Sequence, residues 1–216
     1  SLRLKRNQEQ SGLKLYDILA GKLGLGPSRL LSREETLQLI PTVEPHGLRG
    51  GVIYHDGQFD DARLASSLAL TLADLGGLPL NHLPVTGLIR EGGLIAGVEA
   101  LDRESGRGFR IGGRVVINAA GPFIDGVRRM ADPAVRGLIT PSQGVHLVLG
   151  GSFLPGGSAI MVPHTDDGRV LFAIPWHGRA VVGTTDTPIE MVAEEPVALE
   201  EEFEFLLTHT ARYLSK

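Results

Sequence analysis

The sequence predicts an α+β fold, two layers with mixed sheets, from three observations. A leucine stripe at helical spacing runs through DDARLASSLALTLADLGG. Alternating segments broken by glycine turns follow at residues 85–91, 94–102 and 107–111. Beyond Pro133 the alternation recurs in close succession with no helical pattern between, which is how an antiparallel sheet reads.

Each element has its own signal. In LLSREETLQLIPTV, Ser32 with Glu35 three residues on is a capping-box pattern, and Pro41 stops that helix. Val52–Tyr54 reads as a short strand. The leucine helix carries Leu64, Leu68, Leu72 and Leu75 on one stripe, with Asp60 or Asp61 as its cap and Gly76 at its end. LPLNHL, residues 78–83, reads as a strand. The three alternating segments form a β-meander turned at Gly92-Gly93 and Ser105-Gly106. Val115, Val116 and Ile117 are β-branched and read as a buried strand. The chain then becomes small at Ala119, Ala120 and Gly121, and Pro122 opens a helix at its first position with Gly121 as cap. Strands are expected at 144–149, 159–163, 170–175 and 180–184, joined in part by the turns HTDDG (164–168) and HGR (177–179). A last helix begins after Pro196.

Composition excludes several functions. An apolar fraction of 42% in 216 residues is enough for a real core. The net charge of −4 is spread along the chain, and the one basic run, RLKRNQ at residues 3–8, is too short for a nucleic-acid footprint, so no nucleic-acid partner is expected. Without cysteine there is no disulfide, thiolate metal site or cysteine nucleophile, which fits a reducing compartment. The histidines show no metal-ligand spacing, so no metal is expected. No signal peptide is visible, and no apolar run reaches the ~18 residues of a membrane span. A start without methionine and an end within a helical pattern lead to the expectation of a piece of a longer protein.

Two stretches can carry chemistry. The Ala119-Ala120-Gly121 turn lets backbone approach either another backbone or a ligand, and both readings stand. In GVHLVLGG, Val145, Leu147 and Leu149 share one face, which leaves His146 on the other with Val148. His146 is either a packing residue or a base facing a pocket. Thr184, Thr185 and Asp186 at a strand end are able to cap the next turn. The dinucleotide fingerprint GxGxxG and the phosphate loop GxxxxGK[ST] are absent.

Taken in order, YHDGQFDDARLASSLALTLADLGG, VVINAAGPFID, GVHLVL and VLFAIPWHGRAVVGTTDTP resemble FAD-dependent glycerol-3-phosphate dehydrogenase, the membrane-associated, quinone-reducing type within the D-amino-acid-oxidase-like flavoproteins. The resemblance runs from about Leu31 to Lys216 and fits residues 1–30 loosely. NAAGP is common to the whole group, whereas DDARL and IPW…GTTD point narrowly to glycerol 3-phosphate. It implies part of an FAD-binding α/β domain with a β-meander, plus a mostly antiparallel sheet of a substrate domain. The implied divisions are 1–57, a helical entry and substrate-domain edge; 58–132, the central FAD-binding part; and 133–216, the substrate-domain sheet and terminal helix. It implies that Ala119, Ala120, Gly121 and Val85 contact FAD, and that His146, Thr184 and Thr185 meet the substrate. The C2 hydride of glycerol 3-phosphate would pass to the flavin as the C2 hydroxyl loses its proton, assisted by His146, with quinone as the onward acceptor. It further implies a cytoplasmic protein attached peripherally to a membrane. The family's pyrophosphate cradle and phosphate-binding basic residues have no match here, so the chain by itself is expected to be inactive. Alternatives are an oxidase passing electrons from glycerol 3-phosphate to oxygen, an amino-acid or amine oxidase, and a non-catalytic module on the same fold.

Overall fold

The computed structural model describes residues 25–162, 165 and 168–214; the basic run at 3–8, the loosely matching stretch up to 24 and most of the HTDDG turn lie outside the described residues. In chain order the elements are β1 (Arg29–Leu31), α1 (Arg33–Leu39), β2 (Gly51–Ile53), α2 (Asp61–Asp74), β3 (Val85–Glu91), β4 (Leu94–Leu101), β5 (Gly108–Gly112), α3 (Ile124–Ala131), β6 (Ser142–Gln143), β7 (His146–Gly150), β8 (Ile160–Val162), β9 (Leu171–Trp176), β10 (Arg179–Gly183), β11 (Thr187–Pro188) and α4 (Glu200–Tyr213). They form two compact units, each joining segments distant in sequence. Of the described residues, one holds those up to Gln58, those within Ser142–Thr187 and those from Glu195 on; the other holds Phe59–Pro141 and Pro188–Glu194.

The first unit is built on a four-stranded antiparallel sheet in the order β7-β10-β9-β8. His177 and Gly178, both at positive φ (46° and 74°), make the two-residue turn between β9 and β10, the geometry whose twist suits a hairpin. Register aligns Leu147, Val182, Ala173 and Ile160 in one row, and this face receives α4. Leu206 of α4 is fully buried with Ala180 and Val182, so the unit's apolar core lies between helix and sheet. At the entry, the Ser32–Glu35 capping box forms in both directions: the Glu35 N–H donates to Ser32 Oγ (3.1 Å) and the Ser32 N–H to Glu35 Oε2 (2.7 Å).

The second unit contains the meander β3-β4-β5 with α3 against β3. Helix α2 starts where Asp60 Oδ1 accepts the Arg63 N–H (2.9 Å). It ends in a Schellman motif: the Gly77 N–H donates to the Leu72 carbonyl (2.8 Å) and the Gly76 N–H to that of Ala73 (2.9 Å), with Gly76 at φ +84°. The leucine stripe therefore marks a real helix, yet none of its residues is buried among the described residues.

Three local expectations are corrected. Val115–Ile117 forms no strand and pairs with no described strand, and Val115 and Ile117 are 75% and 83% exposed. A buried strand needs ladder partners beside it, and among the described residues none lies there. LPLNHL is irregular: Pro79 has no N–H to give a ladder, and His82 sits at φ +53°. Pro122 is the second residue, not the first, of a 3₁₀ turn at Gly121–Phe123 capped by Ala120, and α3 begins only at Ile124.

Candidate functional site

Pleating decides what the open face of the four-stranded sheet presents. Val145, Leu147 and Leu149 pack on the core, so His146 and Val148 point the other way, and both are exposed. Register places His146 opposite Gly183, Gly183 opposite Phe172, and Phe172 opposite Met161. The outcome is one row across four strands with an imidazole at its end. Gly183 makes room for that ring, since a Cβ there would stand 2.4 Å from His146 Cδ2. At the far end the Tyr54 hydroxyl donates to Met161 Sδ at 3.2 Å.

Thr184 and Thr185 leave β10 beside this row. Gly144 lets them approach: a Cβ at 144 would lie 2.5 Å from Thr184 Oγ1 and 2.7 Å from the Thr185 carbonyl oxygen. The half-buried Thr184 donates its hydroxyl to the Thr185 carbonyl (2.8 Å). Thr185 is buried, and its Oγ1 accepts the Val145 N–H (3.0 Å) while donating to Glu202 Oε1 (3.0 Å). The Val145 N–H is thus spent on a side chain, which is why β7 starts at His146 rather than at the expected 144.

Glu202 gathers this edge. Besides Thr185 it accepts from the Thr187 hydroxyl (2.6 Å), the Gln143 side-chain amide (2.8 Å) and the Leu199 N–H (2.9 Å). Burial pushes its carboxyl up, but these hydrogen bonds outweigh burial and hold it below the ordinary 4.5.

Ala119, Ala120, Gly121 and Val85 belong to the other unit. Val85 is half-buried at the start of β3, opposite Ala100. Asn118 shapes the small-residue turn, with Oδ1 accepting the Ala120 N–H (3.3 Å) and Nδ2 donating to the Ile124 carbonyl (3.1 Å). Gly121 is at φ +52°, and a Cβ there would meet nothing within 4 Å. Its side of the turn is open, bare backbone. Asp125, in the first turn of α3, accepts the Leu138 N–H (2.8 Å) and the Arg128 guanidinium (2.6 Å). Those donors hold its carboxyl below the ordinary 3.8, the Leu138 amide foremost. Among the described residues no group of His, Cys, Asp and Glu could hold a metal ion.

The whole chain, residues 1–216, matches the model of the family described as FAD dependent oxidoreductase (DAO). The chain belongs to that family. It is 42% identical over 210 residues to the mitochondrial glycerol-3-phosphate dehydrogenase SDP6 of Arabidopsis thaliana, covering 94% of this chain and 33% of that protein. Human mitochondrial glycerol-3-phosphate dehydrogenase is 37% identical, with 94% of this chain and 29% of that protein covered. Among solved structures, the glycerol-3-phosphate dehydrogenase of Bacillus halodurans, complexed with FAD, superposes with a TM-score of 0.77 at 32% identity, over 86% of this chain and 38% of that one. The chain thus spans about a third of the length of the curated relatives it matches.

The family is FAD-dependent, and the 118–121 turn has room for a ligand to approach its backbone. Its glycine has an open flank, and its alanines carry nothing larger than a methyl group. Missed from sequence were Asn118, Gly144, Gly183 and Glu202. The first three left signals: an asparagine able to bond its own backbone two residues on, and glycines within or beside a strand, which mark close approach. Glu202 left only an acidic residue in a helical first turn.

Proposed function

We propose that the chain supplies one wall of the flavin site and part of the substrate sheet of an enzyme that oxidises glycerol 3-phosphate to dihydroxyacetone phosphate. Family membership and the identity to glycerol-3-phosphate dehydrogenases support the reading. The observation that carries it is His146, exposed on the sheet's open face and lodged over Gly183. FAD, when bound, supplies the acceptor for the C2 hydride. His146 binds the C2 hydroxyl and takes its proton at an imidazole nitrogen. Thr184 lies beside it as a second polar contact, and Thr185 acts from beneath by fixing the Val145 amide. Ala119, Ala120 and Gly121 give backbone to FAD, and Val85 does so at the adenine end. Quinone takes the electrons at a membrane surface, to which the protein attaches peripherally from the cytoplasmic side. No helix among the described residues is long and apolar enough to cross a membrane.

The test is substrate-dependent reduction of the full-length protein's flavin without oxygen, followed by a quinone analogue or air as acceptor. Bleaching by glycerol 3-phosphate but not by glycine or proline, with reoxidation faster by quinone than by air, is expected. Bleaching by an amino acid instead would overturn the substrate, and faster reoxidation by air would favour the oxidase.

A further inference from the structure

We propose that Glu202 is a positioning residue for the His146 site, its buried carboxylate clamping the two chain segments that meet beside the imidazole. The inference rests on the reading of His146 given above. Glu202 is 2% exposed, and no cation pairs with it among the described residues. Burying a carboxylate is costly, and helix adhesion does not require it, because Leu206 one turn on already seals α4 to the sheet. What the carboxylate adds is a junction. Its donors come from Gln143 ahead of β7, from Thr185 and Thr187 after β10, and from the Leu199 amide at the start of α4. Through Thr185 the chain of hydrogen bonds reaches the Val145 amide, one residue before His146. Across the ladder, Gly183 lies directly under the imidazole and two residues before Thr185. The segments before His146 and after Gly183 are therefore held at one point, and the ring can keep one place on the open face. A misplacement of about 1 Å at a reacting group costs up to ~100-fold in rate, which gives this clamp a catalytic consequence without contact to substrate.

The experiment uses the FAD-loaded full-length protein with Glu202→Gln, Thr185→Val, Thr185→Ser and His146→Ala, and the double variants of the first two with His146→Ala. Glu202→Gln and Thr185→Val should keep wild-type flavin per protein while kcat falls about 10- to 100-fold. Thr185→Ser, which retains the hydroxyl, should restore kcat to within a few-fold of wild type. In the His146→Ala background neither change should lower kcat further. A readout independent of turnover is carbethoxylation of His146 by diethyl pyrocarbonate, measured by mass spectrometry: glycerol 3-phosphate should slow it in the wild type and no longer in Glu202→Gln. Losses that multiply in the double variants, or unchanged substrate protection of His146, would overturn the proposal, and Thr185→Val decides it should Glu202→Gln not fold. If His146→Ala turns over normally, the reading of His146 falls and the proposal with it; if only Glu202→Gln and Thr185→Val turn over normally, the clamp alone falls.

Discussion

In the proposed site His146 and Gly121 would act by opposite means, one by what it carries and the other by what it lacks. His146 stands on the exposed side of the sheet while its neighbours Val145 and Leu147 pack on the core. Its replacement by alanine in the full-length protein should leave flavin content unchanged and lower turnover ~10²–10⁴-fold, the worth of a positioned general base. A packing role predicts the reverse, a lower melting temperature with near-normal turnover, so steady-state kinetics beside a melting curve separates the two. At Gly121 the run of small residues predicts a steric need for a small side chain. The structure adds a conformational one, because φ is +52° and the space a Cβ would enter is open. Left-handed backbone costs an ordinary residue ~1–2 kcal/mol but is tolerated by asparagine. Gly121→Val and Gly121→Asn should therefore differ in melting temperature while both lower flavin absorbance per protein. Full occupancy in a folded Gly121→Asn would mean the glycine serves the turn's conformation and not the cofactor.

At the scale of elements, what was legible were the patterns whose cause is local. The Ser32 capping box, the Asp60 cap, Gly76 past the end of α2, and the meander with its glycine turns are each fixed by residues within a few positions, and all form. The strands of the larger sheet were legible because one face is buried and the alternation records it. Val115–Ile117 failed for the converse reason: β-branched residues say that a segment is extended, while pairing depends on neighbours the segment does not encode. The Glu202 junction was illegible because its donors lie up to 59 residues away, in segments whose own patterns ask only for a turn. The HGR turn shows how such an element can be tested. Gly178 is at φ +74° with no heavy atom near its flank, so Gly178→Val adds strain but no collision. We expect a loss of at least ~1–2 kcal/mol in stability. Chemical denaturation measures it, and an unchanged midpoint would mean that β9 and β10 keep their register without this turn.

On the scale of the whole molecule, the chain spans 33% of its Arabidopsis relative and shows neither dinucleotide fingerprint nor phosphate loop. By itself, supplied with FAD, glycerol 3-phosphate and an artificial dye, it should give no turnover above a buffer control; sustained dye reduction would show that these residues suffice. Its response to acid should reflect both units, since among the described residues each contains one buried carboxylate held below its ordinary value, Glu202 in the first and Asp125 in the second. A carboxyl whose folded-state pKa is depressed contributes stability that is fully present above its unfolded value and is lost as pH falls through the folded one. The windows therefore open below 4.5 for Glu202 and below 3.8 for Asp125. Glu202→Gln removes the first contribution and leaves the second. Melting temperatures of wild type and Glu202→Gln should differ most at about pH 7 and converge as the pH falls below 4.5 and through the lowered folded-state value, where the wild-type carboxyl takes up its proton. Asp125→Asn tests the other unit in the same way, the carboxyl there being lowered first by the Leu138 amide and then by the Arg128 guanidinium. A gap between wild type and Glu202→Gln that stays the same size across that range would mean the junction depends on the shape of the side chain and not on its charge.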